Sequence, residues 1–173
     1  EGDKVLSGRF GQFSHLWIEM CKKLKVEVEV VDVDWGLGTP HDDFEKILKA
    51  DTSHSIKAVL VTHNETSTGV TNNVATTREL LDSLNHPALL FVDGVSSIGS
   101  IDFQMDKWGV DAAISGSQKG FMLPAGLAIS CISQKALEIA KSTTMRRAYY
   151  DLHDMLAINN TGYWPYTNPM PLL

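Results

Sequence analysis

The stretch "ALLFVDG", residues 88–94, decides the fold class of this chain. Its five apolar residues are followed at once by Asp93 and a glycine. An apolar run without alternation is typical of a strand in a parallel sheet that is covered on both faces. A carboxylate directly after such a strand is costly unless it meets a positive partner or hydrogen-bond donors. The stretch therefore predicts a buried parallel strand that ends at a carboxylate in need of a partner.

Working outward from this strand, the sequence alternates between strand and helix patterns. Apolar or alternating runs predict further strands at 4–8, 26–33, 56–63, 111–117 and 127–133. Helical spacing or capping residues predict helices at 13–24, 42–50, 77–84 and 133–142. This alternation predicts βαβ units, and hence an α/β fold with a mainly parallel sheet flanked by helices.

The remaining segments are expected to be less regular. We expect a polar loop at 64–73, a short helical turn at 105–109 and an irregular, aromatic stretch at 146–169. The first helix is expected to have one apolar face, because apolar side chains recur at helical spacing. The residues of that face are Phe13, Leu16, Trp17, Met20, Cys21 and Leu24.

Composition excludes several classes of protein. The chain has 173 residues, 43% of them hydrophobic, and a net charge of −6 without a basic stripe, which argues against a nucleic-acid surface. No apolar run reaches the roughly 18 residues of a membrane span. Cys21 and Cys131 lie far apart and have no metal-ligand spacing, so we expect both to be reduced core residues.

Three loops follow predicted strands, and ligands of open parallel sheets bind at the carboxyl ends of the strands. "HNETSTG" (63–69) offers hydrogen-bonding side chains, "DGVSS" (93–97) offers Asp93, and "GSQKG" (116–120) offers Gln118 and Lys119. A lysine and a carboxylate in this order suggest pyridoxal phosphate (PLP), which forms a Schiff base with lysine and pairs its pyridine nitrogen with an acid. Taken singly, each remains open to a plainer interpretation as a turn acid, a surface lysine or an ordinary loop.

Four segments carry a more specific resemblance. "HNETSTGV", "FVDGVSSIGSIDFQMDKWGVD", "SGSQKGFMLPAGLA" and "GYWPYTNP" resemble the class V aminotransferases of PLP fold type I, over essentially the whole chain. The resemblance implies that residues 1–173 form the central part of the PLP-binding large domain. It also implies that the N-terminal phosphate loop and the C-terminal small domain, with its substrate-binding arginine, lie outside the chain.

The resemblance also implies roles for individual residues. In that family the lysine of this motif bears the cofactor, the acid pairs with the pyridine nitrogen, and the glutamine contacts the phosphate. A valine and an aromatic residue contact the two ring faces, and a hydroxyl contacts the phenolic oxygen. A threonine reaches the phosphate of the neighbouring subunit. The lysine is Lys119, the acid is Asp93 and the glutamine is Gln118. The valine is Val95, the aromatic residue is Phe13 and the hydroxyl is that of Thr66. The threonine that reaches the neighbouring subunit is Thr167.

The chain departs from the family pattern at two of these places. Phe13 stands where the family often has tryptophan, and Asn168 displaces the proline that follows Thr167.

The resemblance is to members that transfer an amino group from L-serine, or alanine or asparagine, to glyoxylate. It implies a homodimer that binds small amino acids and 2-oxo acids, in the cytoplasm or, in a eukaryote, in peroxisomes. A cysteine desulfurase or selenocysteine lyase of the same fold stays open, although neither cysteine lies on an expected mobile loop. A fragment without catalytic activity of its own is the third possibility.

Overall fold

A computed structural model describes residues 3–143, 146–147, 149–164 and 166–167. Its eight described strands are β1 (Lys4–Arg9), β2 (Glu27–Asp32), β3 (Ile56–Thr62), β4 (Asn64–Glu65), β5 (Val70–Thr71), β6 (Leu89–Asp93), β7 (Ala112–Gly116) and β8 (Ala128–Ile132). Six of them form one sheet in the order β2-β1-β3-β6-β7-β8. All neighbours in it are parallel except β7 and β8, which are antiparallel. The predicted mainly parallel α/β architecture is confirmed.

Helices connect these strands. The described helices are α1 (Gln12–Lys23), α2 (His41–Ala50), α3 (Val74–Ser83), α4 (Gln134–Lys141) and α5 (Leu152–Asn159). The predicted cap of α4 is confirmed, because Ser133 accepts a hydrogen bond from the amide of Ala136. The expectation of irregular structure across 146–169 is wrong for α5. Asp151 caps the start of that helix, because its carboxylate accepts from the amides of His153 and Asp154.

The apolar core occupies both faces of the sheet. Alternate residues of β3 divide between two clusters: Val59 and Val61 belong to one, and Leu60 belongs to the other. The first cluster includes Phe44 from α2, whereas the second includes Ala136 from α4. Because successive side chains of a strand point to opposite faces, helices cover the sheet on both sides. Within the described residues, no helix is both long and apolar enough to cross a bilayer.

The first helix packs differently from the expectation. Ile18 is its fully buried apolar residue, and Trp17 and Cys21 pack against the second core cluster. Four members of the expected apolar face remain exposed: Phe13, Leu16, Met20 and Leu24. The apolar stripe is therefore wider than the sheet surface that α1 covers. The expectation that both cysteines are core residues is wrong for Cys131, which is exposed on β8, whereas Cys21 is half-buried.

One connecting segment differs from the expectation and another confirms it. The expected polar loop at 64–73 contains the small antiparallel hairpin β4–β5, in which Asn64 pairs with Thr71 and Glu65 with Val70. The predicted short helical turn at 105–109 is confirmed, because the amide of Trp108 donates to the carbonyl of Gln104. The hairpin matters for function because it lies at the carboxyl end of β3.

Candidate active site

The three loops singled out in the sequence meet at one edge of the sheet. β6 lies between β3 and β7, with Asp93 opposite Thr62 on one side and Ile114 on the other. The amide of His63 donates to the carbonyl of Asp93, and the amide of Gly94 donates to the carbonyl of Ile114. The ends of these three strands are therefore fixed side by side.

Asp93 provides a poorly satisfied carboxylate at this edge. Among the described residues, its carboxylate accepts one hydrogen bond, from the amide of Val95 at 3.0 Å. Burial raises the pKa of Asp93, and the negative charge of Glu65 raises it further, whereas the positive charge of Lys119 lowers it. A cation that contacts the free oxygen would compensate the desolvation of this carboxylate.

Lys119 lies in the turn after β7. Its amide donates to the carbonyl of Gly116 at 3.3 Å, and its carbonyl accepts from the amide of Met122 at 2.9 Å. The side chains of Lys119 and Gln118 are both exposed, so the sheet edge presents the amine to solvent. The positive charge of Lys119 lowers the pKa of Asp93, against the larger effect of burial.

Two glycines hold this turn against the loop after β6. A Cβ atom on Gly120 would lie 2.3 Å from the carbonyl oxygen of Ile98, and one on Gly99 would lie 3.0 Å from the carbonyl carbon of Gly120. Gly99 also has a positive φ of 82°, which favours glycine. The two backbones therefore touch, which places the turn that carries Lys119 directly beside the loop that follows Asp93.

The β4–β5 hairpin is tied to the same loop by a serine that sequence reasoning missed. The Oγ of Ser96 accepts hydrogen bonds from Asn64 Nδ2 at 2.9 Å and from Thr66 Oγ1 at 3.0 Å. It also donates to the carbonyl of Asn64 at 3.0 Å. Thr66 is exposed, and its hydroxyl contacts the loop that follows Asp93 through Ser96. The sequence signal that could have identified Ser96 was its position three residues after Asp93, the acid at the end of the strand.

Glu65 is the second functional candidate that sequence reasoning missed. It is completely buried, and its carboxylate accepts from the amides of Phe13 and Ser14 and from Ser67. Burial alone would raise the pKa of Glu65, but hydrogen bonds from these donors hold it below the usual value. Because Glu65 is separated from α1 by some fifty residues, no local pattern connects the two.

Thr167 lies in the segment that follows α5. It lines an open cavity of about 640 Å³ together with Tyr149, Trp164 and Tyr166. Asp93 and Lys119 are not among the residues that line this cavity. The role in a neighbouring subunit's site therefore stays a prediction. Asn168, the other residue of that motif singled out above, lies outside the described residues.

The groups at this edge suit an aromatic ring with a positive nitrogen and an aldehyde. Asp93 can accept a hydrogen bond from a protonated ring nitrogen, and the primary amine of Lys119 can react with an aldehyde. Val95 is half-buried and Phe13 is 41% exposed, so each has apolar surface available. The donor and acceptor chemistry of the described residues thus fits PLP.

Fold and site together define an α/β protein of PLP fold type I. The aspartate aminotransferase of subgroup IV from Thermus thermophilus superposes with a TM-score of 0.86 at 30% identity, over 99% of this chain and 46% of that one. The chain belongs to the class-V aminotransferase family, whose profile matches residues 1–155.

Two curated relatives have a higher sequence identity to the chain than that solved structure has. The chain is 56% identical to serine–glyoxylate aminotransferase of Methylorubrum extorquens, over 99% of this chain and 44% of that protein. It is 54% identical to L-aspartate–glyoxylate aminotransferase of Paracoccus denitrificans, over 99% of this chain and 43% of that protein. The chain thus spans less than half the length of the curated relatives that it matches.

Proposed function

We propose that the protein containing this chain is a PLP-dependent aminotransferase that transfers the amino group of L-serine to glyoxylate. The products are hydroxypyruvate and glycine, and alanine or asparagine are further donors. The observation that carries the proposal is the under-satisfied carboxylate of Asp93 beside Lys119 at the ends of adjacent strands. The 56% identity to a serine–glyoxylate aminotransferase supports this choice of substrates.

PLP, when bound, supplies an electron sink for the α-carbon of an amino acid. Lys119 Nζ would hold the cofactor aldehyde and, once free, would take the proton from the substrate's α-carbon as general base. Asp93 would keep the ring nitrogen protonated through a charged hydrogen bond, and Val95 and Phe13 would provide apolar contacts to the ring. Thr66 bonds the phenolic oxygen, a role supported by its exposed hydroxyl beside Ser96.

The rest of the site belongs to other parts of the protein in this proposal. Residues 1–173 are the central part of the large domain, a view supported by their match to less than half of each curated relative. Gln118 contacts the cofactor phosphate together with a loop that precedes this segment. The substrate-binding arginine belongs to the small domain, and Thr167 acts in the second subunit of a homodimer. The compartment is the cytoplasm, or peroxisomes in a eukaryote.

L-Aspartate is a second candidate donor. The identity to the L-aspartate–glyoxylate aminotransferase, 54%, is close to the identity to the serine enzyme. The donor carboxylates would be bound by residues that the family places outside residues 1–173. Comparing initial rates with serine and aspartate at equal concentration, with glyoxylate as acceptor, tests the choice. If aspartate had the higher kcat/KM, the proposed amino donor would be aspartate instead of serine.

Cysteine desulfurase chemistry is less well supported, because it needs a reactive thiolate. Burial raises the pKa of Cys21, which opposes thiolate formation, and Cys131 lies within strand β8 rather than on a loop. Release of alanine and sulfide from cysteine, at a rate above that of serine transamination, would favour the desulfurase. A protein that attaches no PLP would instead be the non-catalytic alternative.

The cofactor assignment is tested by locating the attachment site. The complete gene product is incubated with PLP, reduced with borohydride and digested, and the pyridoxyl group is mapped by mass spectrometry. We expect the label on Lys119. Lys119→Ala should lose it, whereas the control Lys107→Ala, which changes an exposed lysine in the turn before β7, should keep it. Labelling of a different lysine, or none, would refute the assignment.

A further inference from the structure

Ser96 lies where two segments of the candidate site meet. It belongs to the loop after β6, three residues beyond Asp93, and its Oγ contacts the β4–β5 hairpin. The amide of Val95, the residue before it, donates to the carboxylate of Asp93 at 3.0 Å. Through Ser96, the hydroxyl group of Thr66 is therefore tied to the short loop that follows the strand-end acid.

The hydrogen bonds of Ser96 use the full capacity of its hydroxyl group. Its single proton goes to the carbonyl oxygen of Asn64 at 3.0 Å, because a carbonyl oxygen can only accept. Its oxygen accepts from Asn64 Nδ2 at 2.9 Å and from Thr66 Oγ1 at 3.0 Å. A hydroxyl group has one proton and two lone pairs. With one bond donated and two accepted, Ser96 is satisfied entirely by the hairpin.

This arrangement determines the direction of the hydroxyl group of Thr66. Since Ser96 donates its only proton to Asn64, Thr66 must supply the proton in the bond between the two hydroxyl groups. The lone pairs of Thr66 Oγ1 are not used in that bond. Because Thr66 is exposed at the sheet edge, these lone pairs are available to a ligand, whereas the proton is not.

We propose that Ser96 is a positioning residue that makes Thr66 a hydrogen-bond acceptor, so that the site favours the phenolic oxygen of PLP in its protonated form. The inference rests on the proposed function, in which Thr66 bonds this oxygen. A hydroxyl group that donated its proton would instead stabilise the phenolic oxygen as an anion. The two directions therefore have opposite effects on the pKa of the proton that this oxygen shares with the nitrogen of Lys119.

The first experiment removes the group that takes the proton of Thr66. In the complete gene product, Ser96→Ala frees this proton for the phenolic oxygen and should increase the acid dissociation constant of bound PLP about 10-fold. The measurement is the pH dependence of the visible absorbance of bound PLP. The control is Ser100→Ala, which removes an exposed hydroxyl group from the same loop and should leave the constant unchanged. A smaller or unchanged constant in Ser96→Ala would overturn the proposal.

The second experiment is a double-mutant cycle with Thr66→Val, which keeps the shape of the side chain and removes its hydroxyl group. In the native background this change deletes an acceptor and should increase the dissociation constant about 3-fold or more. In the Ser96→Ala background it deletes a donor and should decrease the constant. Effects of the same sign in both backgrounds would refute the role of Ser96. If Ser96→Ala does not fold, Thr66→Val alone decides, because a decreased or unchanged constant contradicts an accepting hydroxyl group.

Failure of this inference is distinguishable from failure of the proposed function. The pyridoxyl group mapped on Lys119 of the unaltered protein reports on the function alone. Normal labelling, together with effects of one sign in the cycle, would refute only the role of Ser96. Absence of labelling would refute both the cofactor assignment and the positioning role.

Discussion

Replacing Gly11 by alanine should disrupt the start of α1 through steric overlap alone. Gly11 has a φ of 175°, which is extended backbone open to any residue. However, a Cβ atom there would lie 2.3 Å from both Cγ and Cδ of Glu65 and 2.7 Å from its Oε2. Since carbon atoms in contact need about 3.5 Å, the carboxylate must retreat by about 1 Å.

The energetic cost follows from the hydrogen bonds that this retreat breaks. The bonds from Glu65 to the amides of Phe13 and Ser14 measure 3.1 and 3.0 Å, so a shift of about 1 Å carries both beyond hydrogen-bonding distance. Each hydrogen bond to a charged group contributes about 1.5–3 kcal/mol. Allowing for partial relaxation, Gly11→Ala should lower the free energy of unfolding by about 3 kcal/mol.

Urea unfolding of the complete gene product, followed by tryptophan fluorescence, measures this cost; Trp17 reports from the same helix. The control is Gly116→Ala, whose Cβ would meet only the flexible end of exposed Gln118, at 2.8 Å. It should cost less than about 1 kcal/mol. Shortening the acid in Gly11→Ala/Glu65→Asp should recover part of the loss. A cost below about 0.5 kcal/mol for Gly11→Ala would refute the reasoning.

Three further predictions concern buried acids. Because burial raises the pKa of Asp93 when no cation is bound, its ionisation opposes folding of the PLP-free protein. Asp93→Asn should therefore stabilise the PLP-free protein against urea above pH ~4, yet lower kcat by about 100-fold or more in transamination assays with PLP. Asp111→Ala should cost about 3 kcal/mol in urea unfolding, since it leaves the buried amide of Leu90 without its acceptor at 2.9 Å. Burial opposes ionisation of Asp51, but donors including the amide of Ile56 hold its pKa far below the usual 3.8. Its stabilising effect is therefore present at neutral pH and lost on acidification, so the cost of Asp51→Asn should shrink between about pH 4 and pH 2.

The sheet was predictable from the sequence because the order of apolar and polar residues in each strand indicates whether one or both of its faces are buried. The run that ends at Asp93 is apolar on both faces, and both faces of β6 are covered. The edge strand β2 shows alternation, and it lies at the border of the sheet. The juxtaposition of the three loops then followed from the rule that parallel strands place their carboxyl ends together, whereas the strand order was not predicted.

Packing of α1 was not predictable to the same degree. The spacing of Phe13, Leu16 and Met20 identifies one face of a helix, but spacing does not say what covers that face. In the structure these three side chains are exposed, whereas Ile18 is buried against the sheet. Helix α5 was missed for a related reason, since its aromatic and polar surroundings hide the capping role of Asp151.

Contacts between distant segments account for the parts of the site that were missed. Strand-end positions single out Asp93, Lys119 and Gln118 in the sequence as candidates for the site. Glu65 lies in a polar loop where every side chain is a candidate, and its partner amides in α1 belong to the backbone. Backbone amides carry no signal in the residue type, so only the folded chain reveals these hydrogen bonds.

Glu65 and Asp93, the two acids near the candidate site, have surroundings that shift their pKa values in opposite directions. Donors from α1 and Ser67 surround Glu65 and hold its pKa below the usual value despite its burial. Within the part of the chain that the structure describes, Asp93 has one amide donor, and burial raises its pKa. Neighbouring acids whose surroundings move their pKa values in opposite directions have different functions. Glu65 is satisfied by the protein itself and is therefore suited to hold structure. Asp93 has an oxygen left for an incoming cation, and the charge of Glu65 nearby strengthens the attraction of this edge for that cation.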